Sequence, residues 1–183
     1  MDSSAKKDFH YLGPLLVDKE FCDFNVRCEG SVFPCHQVVL AAKSPVFKAL
    51  LQAEMKEKIT KTIVIKDSNP ETIFILLHFI YTADVKLKNM TFLMARHLLG
   101  VAEKYLIEDL KKVCEEKLCM ELEVNNSIEC LVLADMHRAS KLKKMALELV
   151  AKNKKMIRYT DVYKDLLRQR PDLVQEINRV KIQ

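Results

Sequence analysis

Asp23-Phe24-Asn25-Val26-Arg27-Cys28-Glu29-Gly30-Ser31-Val32-Phe33-Pro34-Cys35-His36-Gln37-Val38-Val39-Leu40-Ala41-Ala42-Lys43-Ser44-Pro45-Val46-Phe47 changes its hydrophobic pattern twice within one stretch. Phe24, Val26 and Cys28 alternate with Asn25 and Arg27, the period-two pattern of a half-buried strand. Glu29-Gly30-Ser31 reads as a tight turn and Val32-Phe33 as the returning strand, a β-hairpin that Pro34 ends or marks as an edge. From Val38 to Ala42 the apolar residues run unbroken, as in a short helix buried on most sides. Ser44-Pro45 opens another helix, because the serine oxygen caps free N–H groups and proline in the first turn forfeits no hydrogen bond.

Downstream, that helix carries Val46, Phe47, Leu50 and Leu51 before dissolving into the polar Glu54-Met55-Lys56-Glu57-Lys58. Ile63-Val64-Ile65 is a short third strand. Asn69-Pro70-Glu71 starts a helix by the same device as Ser44-Pro45, and its residues 73–81 are apolar almost all round, which makes it central. Two more helices follow, over about 90–104 and 107–120. A few short strands followed by helices is an α+β pattern, distinct from the strict alternation of a doubly wound sheet. Upstream, Phe9, Leu12, Leu15 and Leu16 share one helical stripe, with Gly13-Pro14 as a break or kink.

After Glu121 the pattern is helix only. Asn126 with Glu129 resembles a capping box, and Leu142, Met145, Ala146, Leu149 and Val150 form the clearest amphipathic stripe, closed by Asn153-Lys154-Lys155. Thr160-Asp161 and Arg170-Pro171 open two short final helices. The change of character divides the chain into 1–121 and an all-helical extension over 122–183.

Composition narrows the function. At 183 residues, 49% apolar and 30% charged, the chain can bury a core and stay soluble. No apolar run reaches the length of a membrane span, and the first residues lack the order of a signal peptide, so an intracellular protein, cytoplasmic or nuclear, with no membrane partner is expected. Six cysteines without a Cys-x-x-Cys pair fit free, largely buried thiols in a reducing compartment. The net charge of +5 is spread among alternating lysines and glutamates, which reads as solvated helix face and not as a nucleic-acid footprint. Three glycines are too few for phosphate-cradling loops, the five histidines are scattered, and Asp135-Met136-His137 lacks a third ligand. The expectation is therefore no catalytic residues, no cofactor and no metal.

What remains are surfaces. The terminal stripe is either a lid folded back on its own domain or a face shared between two copies. Met55 is either an ordinary exposed methionine or the apolar point of a contact. The residues alone do not choose.

The quoted stretch resembles the core signature of the BTB/POZ domain, and Phe79-Ile80-Tyr81-Thr82 and Ala102-Glu103-Lys104-Tyr105 resemble two later signatures of that fold. More narrowly, Tyr105 to Cys119 and Val124 to His137 resemble the speckle-type POZ branch, whose extra helix pair, the three-box, enlarges a contact with cullin-3. The resemblance implies a BTB core over 1–121, a three-box-like extension over 122–183, and a homodimeric, non-enzymatic substrate adaptor that joins a protein substrate to the cullin-3 N-terminal region. It implies Met55, Glu57, Tyr81 and Thr82 as cullin-binding residues, with the methionine entering a groove and the glutamate hydrogen-bonding beside it. Phe9, Leu12, Leu15 and Val39 fall on its dimer interface, and Asp23 and His36 match its paired polar positions. Gln37 stands where a lysine is usual; no stretch resembles the family's substrate-binding MATH domain, so either the sequence is a fragment or substrates bind elsewhere; and Asn178 stands where an aromatic used in a second self-association is expected. The competing reading is a BTB module that recruits a co-repressor; the Met55-Lys56-Glu57 motif and the extension favour the adaptor.

Overall fold

A computed structural model describes residues 12–52, 60–85 and 89–180, and its contacts divide the chain into two compact units between Lys111 and Lys112. The N-terminal unit opens with a short helix, α1 (Gly13–Asp18). Pro14 sits in its first turn, where its missing N–H forfeits no hydrogen bond. Two strands follow, β1 (Phe24–Cys28) and β2 (Ser31–Cys35), antiparallel and joined at Glu29-Gly30. Both turn residues have positive φ, 44° and 86°, as a two-residue hairpin turn whose twist matches its strands requires. Phe24, Val26 and Cys28 face the core while Arg27 faces out, as the alternation predicts.

Helices α2 (Gln37–Lys43) and α3 (Pro45–Gln52) lie next in the chain. The Ser44 hydroxyl between them accepts the Phe47 N–H at 3.1 Å and donates to the Tyr105 carbonyl at 2.6 Å, and the Phe47 and Tyr105 rings stack at 4.4 Å. Strand β3 (Thr62–Ile65) runs parallel to β1, giving the sheet order β2-β1-β3. Pro34 thus lies on an edge strand, where its missing N–H costs the ladder nothing.

The central helix is α4 (Pro70–Thr82), capped by the Asn69 side chain, which accepts the Thr72 N–H at 2.9 Å. It buries Ile73, Leu76, Leu77, Phe79, Ile80 and Tyr81 and exposes only Glu71, Phe74 and His78. Helix α5 (Phe92–Lys104) completes the unit, and α6 (Glu108–Met120) spans the division between the units.

The C-terminal unit is all helical: α7 (Ser127–Met136), α8 (Ser140–Lys152), α9 (Lys154–Ile157), α10 (Asp161–Gln169) and α11 (Pro171–Arg179). Leu131, Ala134, Leu142, Ala146, Val150, Leu166, Leu173 and Ile177 form its core. The capping box expected at Asn126 does not form: its side chain accepts the Glu123 N–H and donates to the Glu121 carbonyl, tying the preceding loop instead of the helix. The N-terminus of α8 borrows an acceptor from α6, the Glu115 carboxylate, which takes the Leu142 N–H at 2.9 Å. Asp135 on α7 binds Lys143 at 2.7 Å and also Arg170, while Lys143 reaches Glu176 on α11 at 2.9 Å. Hydrogen bonds from Lys143 first, and from Arg170, hold the Asp135 carboxyl below its ordinary value of 3.8.

Candidate partner-binding surfaces

A buried polar cluster organises one end of the N-terminal unit. The His36 backbone N–H donates to the Tyr81 hydroxyl at 2.8 Å, and the same hydroxyl lies 2.8 Å from His36 Nδ1. His36 Nε2 lies 2.7 Å from the Glu20 carbonyl, which can only accept. The proton of the ring is thereby placed on Nε2, and Nδ1 accepts from the tyrosine O–H. Burial, the largest cause, pushes the Tyr81 hydroxyl well above its ordinary value, so it stays a donor.

Asp23 and His36 do not bond to each other. Asp23 accepts the Gln37 backbone N–H at 2.9 Å and its side-chain amide at 3.2 Å, so the carboxylate lies at the N-terminus of α2, where helix charge favours it. The two polar positions support α2 and α4 by separate routes: Asp23 through Gln37, and His36 through Tyr81. Sequence reading noted Gln37 only as a departure from the usual lysine, and missed the Glu20 carbonyl because a backbone acceptor carries no residue-type signal.

Tyr81 and Thr82, expected in a cullin contact, are inward residues. Tyr81 is fully buried, and Thr82 is 8% exposed with its hydroxyl donating to the His78 carbonyl at 2.7 Å. Val39 is likewise turned inward at 8%, whereas its neighbour Val38 is 74% exposed and is the large apolar residue that α2 offers to solvent. Leu12 and Leu15 are half-buried, α1 buries none of its residues, and Val17 and Phe21 beyond them stand out at 75% and 85%. Gly13 approaches α4 closely: a Cβ there would meet Thr82 Cγ2 at 3.3 Å. Phe9, Met55 and Glu57 lie outside the described residues.

One surface was not anticipated. Phe74, Ile75, His78, Val85, Met90 and Met94 line an open groove of about 300 Å³, with Phe74 half exposed. The signal was available in the sequence, since Phe74 sits on the outward side of a helix otherwise apolar all round. All six cysteines are free thiols; burial pushes Cys35 and Cys114 up to about 12. Among the described residues there is no cluster of His, Cys, Asp and Glu suited to a metal ion, and no helix is long and apolar enough to cross a membrane. The described surfaces offer apolar contact and hydrogen bonding.

The profile of the BTB/POZ domain matches residues 12–122. TD and POZ domain-containing protein 1 of Mus musculus is 37% identical over 165 residues, covering 90% of this chain and 45% of the relative. TD and POZ domain-containing protein 5 of the same organism is 35% identical over 163 residues, covering 89% and 48%. The chain thus spans about half the length of these curated relatives, which carry the TD and POZ name and not the speckle-type name that the signatures suggested. Among solved structures, the BTB domain of zebrafish PATZ1 superposes with a TM-score of 0.51 at 23% identity, covering 63% of this chain and 92% of that one. At that identity the likeness speaks for the fold.

Proposed function

The chain belongs to the BTB/POZ domain family, a family of protein-interaction domains, and on that premise we propose that it is a homodimeric substrate adaptor of a cullin-3 ubiquitin ligase with no catalysis of its own. The observation that carries the reading is the Met55-Lys56-Glu57 motif, placed after α3 within the matched BTB region. An apolar anchor beside a hydrogen-bonding acid is how small interfaces concentrate affinity. The helices that continue beyond residue 122 support it as a three-box-like extension over 122–183, behind a BTB unit over 1–121. The exposed Val38, Val17 and Phe21, with the half-buried Leu12 and Leu15, support a dimer face near α1 and α2, which Phe9 would extend.

Calorimetry of the whole chain with the cullin-3 N-terminal region tests the site. Met55→Asp places a charge where an apolar groove would receive a methionine, so binding should be lost while the dimer persists. Unchanged affinity removes Met55 from the contact, and no binding by the unaltered chain removes the adaptor reading in favour of the co-repressor one. For the dimer, Leu12→Asp with Leu15→Asp should give monomers by light scattering; a persistent dimer relocates the interface.

A further inference from the structure

We infer that two copies of this chain associate through charge-matched helix faces, α6 of one against α8 of the other, separately from the α1 surface. On α6, Glu108, Lys112 and Glu116 recur at every fourth residue, and on α8 so do Lys144, Glu148 and Lys152. Four residues make just over one helical turn, so each triplet forms a row on one side with charges about 6 Å apart along the axis. One row reads minus, plus, minus; the other reads plus, minus, plus.

All six side chains are exposed, and among the described residues none has a hydrogen-bond or ion-pair partner, not even its neighbour one turn away. Several other charges on the same helices are satisfied: Lys117 binds Glu121 at 2.6 Å, Glu115 caps α8, and Lys143 holds Asp135 and Glu176, while Asp109 beside the α6 row and Lys141 beside the α8 row are exposed like the rows themselves. The unpaired charges are therefore the outward ones alone. Apolar residues lie beside both rows, with Met120 one turn beyond Glu116 at 73% exposure and Met145 next to Lys144 at 37%.

The central charge of each row selects the partner. A nucleic acid, an anionic membrane or a purely acidic peptide laid along α8 would meet Glu148 between its lysines, and like charges in contact repel. The complement of a plus-minus-plus row is a minus-plus-minus row at the same pitch, and this chain carries one on α6. With Asp109 and Lys141 on the same sides, the faces read minus, minus, plus, minus and plus, plus, minus, plus, so charge favours the two helices running in the same direction. Exposed ion pairs are individually weak and screened beyond about 10 Å at 0.1 M salt, so the association is weak, concentration-dependent and sensitive to salt.

Sedimentation equilibrium of the full chain tests it through charge reversal. At low salt the mean mass should climb with concentration above the species present in dilute solution, and the climb should vanish at about 0.5 M salt, where screening acts within about 5 Å. Lys144→Glu/Glu148→Lys/Lys152→Glu should weaken association by about tenfold or more, and so should Glu108→Lys/Lys112→Glu/Glu116→Lys. All six changes together should restore it. The milder Glu148→Lys should weaken it too, so the outcome does not depend on the triple variants folding. Lys66→Glu, an exposed change in the N-terminal unit, alters net charge as much as the α8 reversal and should leave association intact. The inference is overturned if the six-fold variant fails to associate, if reversing α6 has no effect, if Lys66→Glu is as damaging, or if the unaltered chain shows no concentration dependence.

Discussion

Replacing Tyr81 by phenylalanine removes one oxygen and two hydrogen bonds while leaving the ring's packing in place. The His36 N–H at the start of α2 then has no acceptor, and Nδ1 of the same residue has no donor, both in a residue only 8% exposed. Each lost bond is worth about 1 kcal/mol net, and a buried amide left unpaired adds a desolvation penalty, so the expected cost is about 2–3 kcal/mol. With a urea slope of about 2 kcal/mol per molar, the unfolding midpoint of the N-terminal unit should fall by about 1 M. Repeating the change in a His36→Leu background isolates the ring's share, since the backbone bond is lost in both cases; a coupling of about 1 kcal/mol is expected. Nitrogen shifts of the unaltered His36 should report a bare Nδ1 and a protonated Nε2. A midpoint within about 0.2 M of the parent would refute the cluster's role in stability, and a proton found on Nδ1 would refute its wiring.

Three further outcomes follow from the same structure. Ser44→Ala removes the cap of α3 and the bond to the Tyr105 carbonyl, both buried, and should destabilise the N-terminal unit by about 2 kcal/mol in urea unfolding. Because the Asp135 carboxyl is held below 3.8, the stability it contributes is complete above that pH and is lost as pH falls through the lowered folded value. Asp135→Asn should therefore weaken the C-terminal unit at pH 6 and flatten its stability profile below about pH 4; an unaltered acid slope in urea midpoints measured from pH 6 to pH 2 would contradict the ion network. Finally, half-buried Cys22 and Cys119 should be labelled by a thiol reagent at pH 8 long before Cys35 and Cys114, whose burial keeps them protonated, as peptide mass spectrometry can follow.

Local physics was legible in the sequence wherever a feature depends on residues a few positions apart. The hairpin alternation at 24–28, the proline and cap pairs at Ser44-Pro45 and Asn69-Pro70, and Thr160 accepting the Tyr163 N–H are all of that kind. Asn126 failed because a cap and a loop tie use the same donor and acceptor, and only the path of the preceding chain decides between them. The pairing of His36 with Tyr81 was illegible for a different reason: the residues are 45 apart, and each sits in a pattern that its own neighbours explain. The burial of Tyr81 and Val39 was likewise not to be read from the signatures, since a family signature marks positions without saying which way a side chain turns. Val38 became visible only once α2 had been given its inward face.

The placement of β1 between β2 and β3 has a consequence for the order in which the sheet assembles. Its pairing with β2 spans a two-residue turn and is possible as soon as the hairpin leaves the ribosome. Its pairing with β3 must wait until α2, α3 and everything up to Ile65 have been synthesised, and it closes a far longer loop. During that interval the second edge of β1 is open to any extended strand nearby. Nascent chains halted before Thr62 should on that account be the stage most prone to mispairing.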